Sequence, residues 1–400
     1  MIVQRTFLGG RRWTGPWRIR VDTMAGGASN RTMTNYMSSN SSSSPILTDW
    51  GDGTHTISKD IVSHTYVSDG DYVISHYSSD NFTTAILQKG GHKNIVEVID
   101  PFPRLPSVGS VEDGFRKIFY EDDYLQTIPS NLFDNNADFI TDLSGIFSSI
   151  KEGPLHIPAG LFKGLSRLSN AGFIFNSSVL DYIPDGLFEG MTSIVHAGFT
   201  FIRAKASYAG SRIFAGCTGL TDIGFCFNET DIPIFGDDTF NGCTGLVGGV
   251  PEAFWRITAR SVGARTFANC TGITSCYGNF GTDSDEPSLE LESIGDYTWQ
   301  NCTSLKETYH FLDNAPKLKT LPPHTFSGCT KLEYLDYLFE ESGAALGAMD
   351  LYLDRCPTII GSSFKSVPDM TATTQRVIHV PSGCTVTSRY PNKYTVVADR

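Results

Sequence analysis

The sequence predicts a mainly β protein with short helical turns: an N-terminal β-sandwich followed by a solenoid of about nine coils. Two observations carry this. A phrase Phe-x-Gly-Cys-Thr-x-Leu recurs through the C-terminal two-thirds, anchored on Phe214, Phe240, Phe267, Trp299 and Phe326. Weaker copies are anchored on Phe133, Phe162, Phe188 and Leu353, so that successive anchors lie 29, 26, 26, 26, 27, 32, 27 and 27 residues apart. A fixed period in the twenties marks a stack in which each unit buries its apolar face only against its neighbours. The second observation is that the first hundred residues alternate with a period of two and turn at Gly/Asp clusters, as antiparallel strands do. Composition agrees: apolar residues make up 40% and charged residues only 18%, a turn-rich balance unlike that of helical enzymes.

Residues 1–16 form a basic arm with Arg5, Arg11 and Arg12, and Arg18 and Arg20 follow just beyond it. The first twenty residues hold no acid, so with these five charges set aside from the total of −12 the rest of the chain carries −17. These arginines suit docking on an acidic partner surface, or else belong to a solvated first strand. The acidic total argues against nucleic-acid binding. No apolar run approaches the roughly 20 residues that span a bilayer, and no signal-peptide core follows Met1, so neither membrane insertion nor signal-directed export is expected.

Residues 17–100 read as the β-sandwich. Trp17–Val21 alternates like a strand, and Asn30–Ser44 has the polar composition of a long loop. Ile46–Asp49 runs into Trp50-Gly51-Asp52-Gly53, and His64-Thr65-Tyr66 and Gly70-Asp71-Tyr72 lie downstream. Gly51 and Gly53 permit the positive φ of a tight turn that Asp49 and Asp52 cap; the same two acids could help bind calcium, with fewer ligands than a recognised calcium loop. This set resembles the polycystic-kidney-disease-type (PKD) β-sandwich, and the resemblance implies a spacer or binding module.

Residues 101–127 are read as a joint or capping segment, stiffened by Pro101, Pro103 and Pro106. The solenoid itself is expected over 128–376. Many coils open with Ile-Pro or Leu-Pro, as at Ile128-Pro129, Ile157-Pro158, Ile183-Pro184 and Leu321-Pro322, where proline fixes a corner. The pairs Phe173/Phe175, Phe199/Phe201, Phe225/Phe227 and Tyr337/Phe339 read as extended segments. On a strand both rings of a pair share a face, so the stack builds an aromatic ladder, either filling the core or displayed for glycan stacking.

Of nine cysteines, six share one repeat position: Cys217, Cys243, Cys270, Cys302, Cys329 and Cys356. Leu165 and Met191 occupy that position in earlier coils, which points to a packed structural ladder, although a spacing of about 4.8 Å between coils leaves disulfides within reach. The 32-residue repeat holds an acidic insertion, residues 280–293, whose Asp283, Asp285, Glu286, Glu290 and Glu292 are the candidate contact for a basic partner. Residues 377–400, with Val377–Gly383 and Tyr390, form the C-terminal cap.

The phrase Ile-Pro-x-x-x-Phe-x-Gly-Cys-Thr-x-Leu resembles the BspA-like leucine-rich repeats of bacterial and protist surface proteins. The resemblance spans about residues 125–395 and implies a leucine-rich-repeat solenoid that binds matrix, host cells or other proteins and is not an enzyme. Nothing in the residues argues otherwise. The nine histidines show no metal-binding spacing, and there is no Gly-x-Ser-x-Gly elbow or phosphate loop, so no catalytic residue, metal or cofactor is expected. A PKD-like domain ahead of such repeats, with no export signal read, fits a bacteriophage virion component: a head or tail fibre or a decoration protein. Its partners would be other virion proteins or a host-surface protein or glycan, with self-association compatible, and its place the virion surface. The alternative is a bacterial cell-surface adhesin of the BspA-like class.

Overall fold

The computed structural model describes residues 6–7, 11–82, 85–87, 94–105, 115–250, 253–277, 280, 290–309, 317, 322, 324–332, 334–336, 350–352, 376–381 and 394–399. The chain divides into two compact units, Met1–Asp181 and Tyr182–Arg400.

In chain order the first unit's strands are β1 (Thr6–Phe7), β2 (Arg11–Arg12), β3 (Thr14–Asp22), β4 (Thr32–Thr34), β5 (Met37–Ser39), β6 (Ile46–Asp49), β7 (His55–Ser58), β8 (Ser63–Thr65), β9 (Asp71–Ser78), β10 (Ala85–Leu87) and β11 (Ile95–Val98). Five of them form an antiparallel sheet in the order β11-β3-β9-β6-β7. β3 sits inside it because its sequence alternates: Trp17, Ile19 and Val21 are buried, while Arg18 and Arg20 face the other way. The Gly/Asp turn forms as read. Gly51 and Gly53 have φ of 83° and 89°, and Asp49 and Asp52 accept the backbone N–H of Gly51 and Thr54 at 3.0 Å each.

Asn30–Ser44 is not a plain loop. It carries β4, paired with β8, and β5, paired with β10. Its few apolar side chains, Met33, Tyr36 and Met37, are all buried, and that burial outweighs the polar composition.

The sheet does not end at β11. Parallel bridges join Glu97 to Thr127 and Thr127 to His156, so the first coils continue it strand by strand. Beneath that edge runs one column of rings. Trp17 stacks on Phe102 at 5.8 Å, Phe102 on Phe119 at 5.8 Å, Phe119 on Phe147 at 5.6 Å and Phe147 on Phe175 at 5.7 Å. Tyr36 adds a buried hydrogen bond of 2.7 Å to Asp122. A shared core is why the small domain and the first coils fall in one unit.

The second unit contains β12 (Gly248–Val250), β13 (Ser261–Val262), β14 (Ile273–Tyr277), β15 (Ser293–Ile294), β16 (Glu307–Tyr309), β17 (Tyr334–Asp336), β18 (Asp350–Tyr352), β19 (Arg376–Pro381) and β20 (Tyr394–Asp399). They make parallel sheets β12-β14-β16-β17, β13-β15 and β18-β19-β20, each pairing one coil with the next. The described anchors are all buried. Phe188, Phe214, Phe240, Phe267 and Trp299 stack at 4.9, 5.3, 5.3 and 4.4 Å. A second column, Phe201, Phe227, Phe254 and Phe280, stacks at 5.0, 5.2 and 5.2 Å. The two columns meet edge-on, as at Phe240 and Phe254, 6.1 Å apart and inclined at 76°.

The extended reading of the paired aromatics is overturned at Phe173/Phe175, Phe199/Phe201 and Phe225/Phe227. These segments are turns, and the first ring of each pair sits at a positive φ of 60°, 61° and 57°. A left-handed residue reverses the direction of its side chain, so the two rings part: Phe175, Phe201 and Phe227 enter the core, while Phe173, Phe199 and Phe225 face outward. Tyr337 and Phe339 lie outside the described residues.

Candidate binding surface

The outward surface of the second unit is built by coil-to-coil register. Backbone bonds Ile183 N–H to Tyr208 O (3.0 Å) and Ala209 N–H to Ile234 O (2.8 Å) turn Ile183, Ala209 and Phe235 inward. The residue before each then points out. Tyr182, Tyr208 and Ile234 therefore form one row across three coils, with Tyr182 and Tyr208 stacked at 5.1 Å and the latter two 42% and 51% exposed. Side chains of this size left in water on successive coils are a feature of contact surfaces.

Other outward positions pair across the same coils. His196 lies 3.6 Å from Asp222, Phe199 stacks on Phe225 at 5.4 Å, Arg203 holds Glu229 at 2.7 Å, and Lys205 lies 3.9 Å from Asp231. Arg203 keeps the Glu229 carboxyl below its ordinary range. Exposed pairs of this kind contribute at most about 1 kcal/mol, so they fix side-chain positions more than they stabilise the coils. The result is a rigid surface of aromatic and apolar rows flanked by paired charges.

The cysteine ladder is interior. Cys217, Cys243, Cys270, Cys302 and Cys329 are buried; Cys356 lies outside the described residues. Each Sγ donates to the carbonyl of the anchor one coil back, from Cys217 to Phe188 at 3.0 Å through Cys329 to Trp299 at 3.0 Å. Burial pushes the Cys217 and Cys270 thiols up to about 12, far from the reactive thiolate.

The predicted contact residues are only partly brought together. Phe280 belongs to the inner ring column, Glu290 pairs with Lys317 at 2.8 Å, and Glu292 is exposed with its N–H bound to Arg260 O at 2.8 Å. Asp283, Asp285 and Glu286 lie outside the described residues. Among the basic residues, Arg18 grips Asp100 through two bonds of 2.7 and 2.9 Å, and Arg20 bonds Glu97 at 2.8 Å, so both guanidiniums are engaged within the chain. Arg11 and Arg12 form β2, and Arg5 lies outside the described residues. Asp52 is likewise engaged, bonding Thr54 and, at 2.7 Å, His64, and among the described residues no group of three or more His, Cys, Asp or Glu could hold a metal ion. Among the same residues no helix is long and apolar enough to cross a membrane.

Sequence reasoning missed the Tyr182–Tyr208–Ile234 row. Its only signal was position, six residues before each anchor, because the residue types differ.

Six copies of the BspA type leucine rich repeat region match over residues 126–274 and 251–340, more than half of the chain. The chain belongs to that family. Its repeat region thus covers both the coils of the first unit and the outward rows of the second. Among solved structures, a leucine-rich repeat protein from Bacteroides ovatus is similar at 15% identity, covering 80% of this chain and 94% of that one with a TM-score of 0.20. No curated protein matches.

Proposed function

We propose that this BspA-type repeat protein is a non-enzymatic attachment protein, and specifically a bacteriophage virion component: a head or tail fibre or a decoration protein. The observation that carries the binding role is the exposed row Tyr182, Tyr208 and Ile234, held rigid on stacked coils and flanked by paired charges. It would meet a host-surface protein or glycan, or a neighbouring virion protein. The acidic insertion, residues 280–293, with Asp283, Asp285, Glu286 and Glu292, is a second contact for a basic partner, while Glu290 has Lys317 as its partner. Attachment to the particle falls to Arg5, Arg11 and Arg12, since Arg18 and Arg20 have carboxylate partners at home. The N-terminal domain serves as a PKD-like spacer. The virion reading is supported by the thiol ladder: among the described residues Cys217, Cys226, Cys243, Cys270, Cys276 and Cys302 are buried thiols without a disulfide, which suits folding and assembly in a reducing cytoplasm.

The test is mass spectrometry of purified phage particles and, separately, of washed cell envelopes from the source bacterium. Recovery in particles at fixed stoichiometry supports the virion reading. Recovery from envelopes alone replaces it with the cell-surface adhesin. In particles carrying Tyr208→Ser with Ile234→Ser, assembly is expected to proceed while attachment falls at least about tenfold, the equivalent of roughly 1.4 kcal/mol; undiminished attachment would remove the row from the proposal.

A further inference from the structure

His76 lies on β9 in the middle of the five-stranded sheet, opposite Trp17 on β3 and Thr48 on β6. Its ring is fully buried, and neither ring nitrogen has a hydrogen-bond partner among the described residues. The Trp17 ring sits 5.5 Å away, and Trp17 is also the first ring of the column that runs through Phe102 into the coils. The imidazole therefore sits beneath the point where the sheet meets that column.

The charged groups nearby are occupied elsewhere. On β3, Arg18 and Arg20 project from the opposite face and pair with Asp100 and Glu97, the latter on β11. On β6, Asp49 caps the Gly51 turn. The segment packed against Trp17 brings Tyr36, bonded to the buried Asp122. No charged group acts on the His76 ring itself. A neutral imidazole is tolerated there. An imidazolium would bring a full charge and a second N–H donor into a buried site where the Trp17 backbone alone favours the charged form, and burial outweighs it.

We propose that His76 is an acid-sensitive latch, whose protonation opens the sheet of the first unit at Trp17 and loosens the head of the ring column. Burial lowers the imidazole from its ordinary 6.5 to about 4, so the folded unit excludes a proton that the opened chain accepts. The stabilisation is complete above about pH 6.5 and is lost as the pH falls from there toward 4. Within that window the opening constant rises by up to about tenfold per pH unit.

The test is hydrogen exchange on the full-length chain from pH 7 to 4.5, corrected for intrinsic exchange and followed in peptides spanning β3 and β9. The wild type is expected to open about 40-fold more at pH 4.5 than at pH 6.5. His76→Leu should lose that dependence. An unchanged slope in the variant would overturn the latch. Because His76→Leu can also fail to fold, NMR titration of the ring in the wild-type protein provides a second reading: a ring that stays neutral below pH 5.5 supports the latch, and one that protonates near 6.5 while the sheet stays intact overturns it.

Discussion

Cys270 illustrates what the repeat position asks of a side chain. Its thiol donates to Phe240 O at 3.1 Å, but in each coil the anchor carbonyl already accepts an N–H from three residues on, as Phe240 O does from Cys243 at 3.2 Å. The thiol bond is therefore an addition, and its loss orphans nothing. That is why Leu165 can stand at the same position and why the sequence could be read as a packing ladder. Cys270→Ala should cost about 1–2 kcal/mol, mostly for the space vacated, measured as a shift in the urea midpoint at unchanged m. A loss above about 4 kcal/mol would mean that the thiol bond is essential. The buried threonines before the anchors were not legible in the same way. Thr266, Thr298 and Thr325 bond the carbonyl three residues back at 2.8, 2.7 and 2.7 Å, and a hydroxyl gives no apolar period to detect.

At the scale of one coil, the backbone alternates left-handed and right-handed residues. Arg212, Asp238, Arg265 and Tyr297, two residues before their anchors, have φ of 57°, 62°, 54° and 58°. Two residues after the anchors, Gly216, Gly242, Asn269 and Asn301 have 71°, 74°, 60° and 58°. With those reversals interleaved, alternate N–H groups point to the next coil, as from Phe214 to Thr239 O and from Gly216 to Asn241 O at 2.8 and 2.7 Å. Intercoil bonding thus proceeds without extended strands. The anchors and the Gly/Asn position were legible because glycine and asparagine mark it. The other left-handed position was hidden behind Arg, Asp and Tyr, and for that reason the paired aromatics were misread as strands. Two kinds of glycine follow. At Gly242 only the dihedral matters, so Gly242→Asn should cost less than about 1 kcal/mol. At Gly263 a Cβ would run into the Gly236 backbone of the preceding coil, so Gly263→Ala should cost at least about 3 kcal/mol. Thermal melts of the pair that rank the other way would contradict this packing.

Across the whole molecule, two compact units carry one repeat family, and seven described cysteines are buried in the second. Brief iodoacetamide treatment of the native protein should leave all seven unmodified, and denaturation first should expose every one. Labelling of any of them in the native state at the denatured rate would contradict the buried ladder. The repeat period announced the architecture because stacking demands a near-constant coil length. The row at Tyr182, Tyr208 and Ile234 stayed silent because binding chemistry leaves no such periodic trace.

The intercoil bonds have a further consequence. At the anchor corner of the described coils, N–H groups point to the next coil and carbonyls to the preceding one, as from Phe214 to Thr239 O and from Phe240 to Thr266 O. The array changes length in steps of a coil, 26 or 27 residues between Phe188 and Phe267 and 32 between Phe267 and Trp299, each adding about 5 Å. Duplicating the stretch from Asn241 to Phe267 repeats the anchor-corner pattern, in which Gly216 N–H meets Asn241 O and Phe240 N–H meets Thr266 O. A gene that slips by one repeat therefore changes the reach of this surface without inventing any new contact.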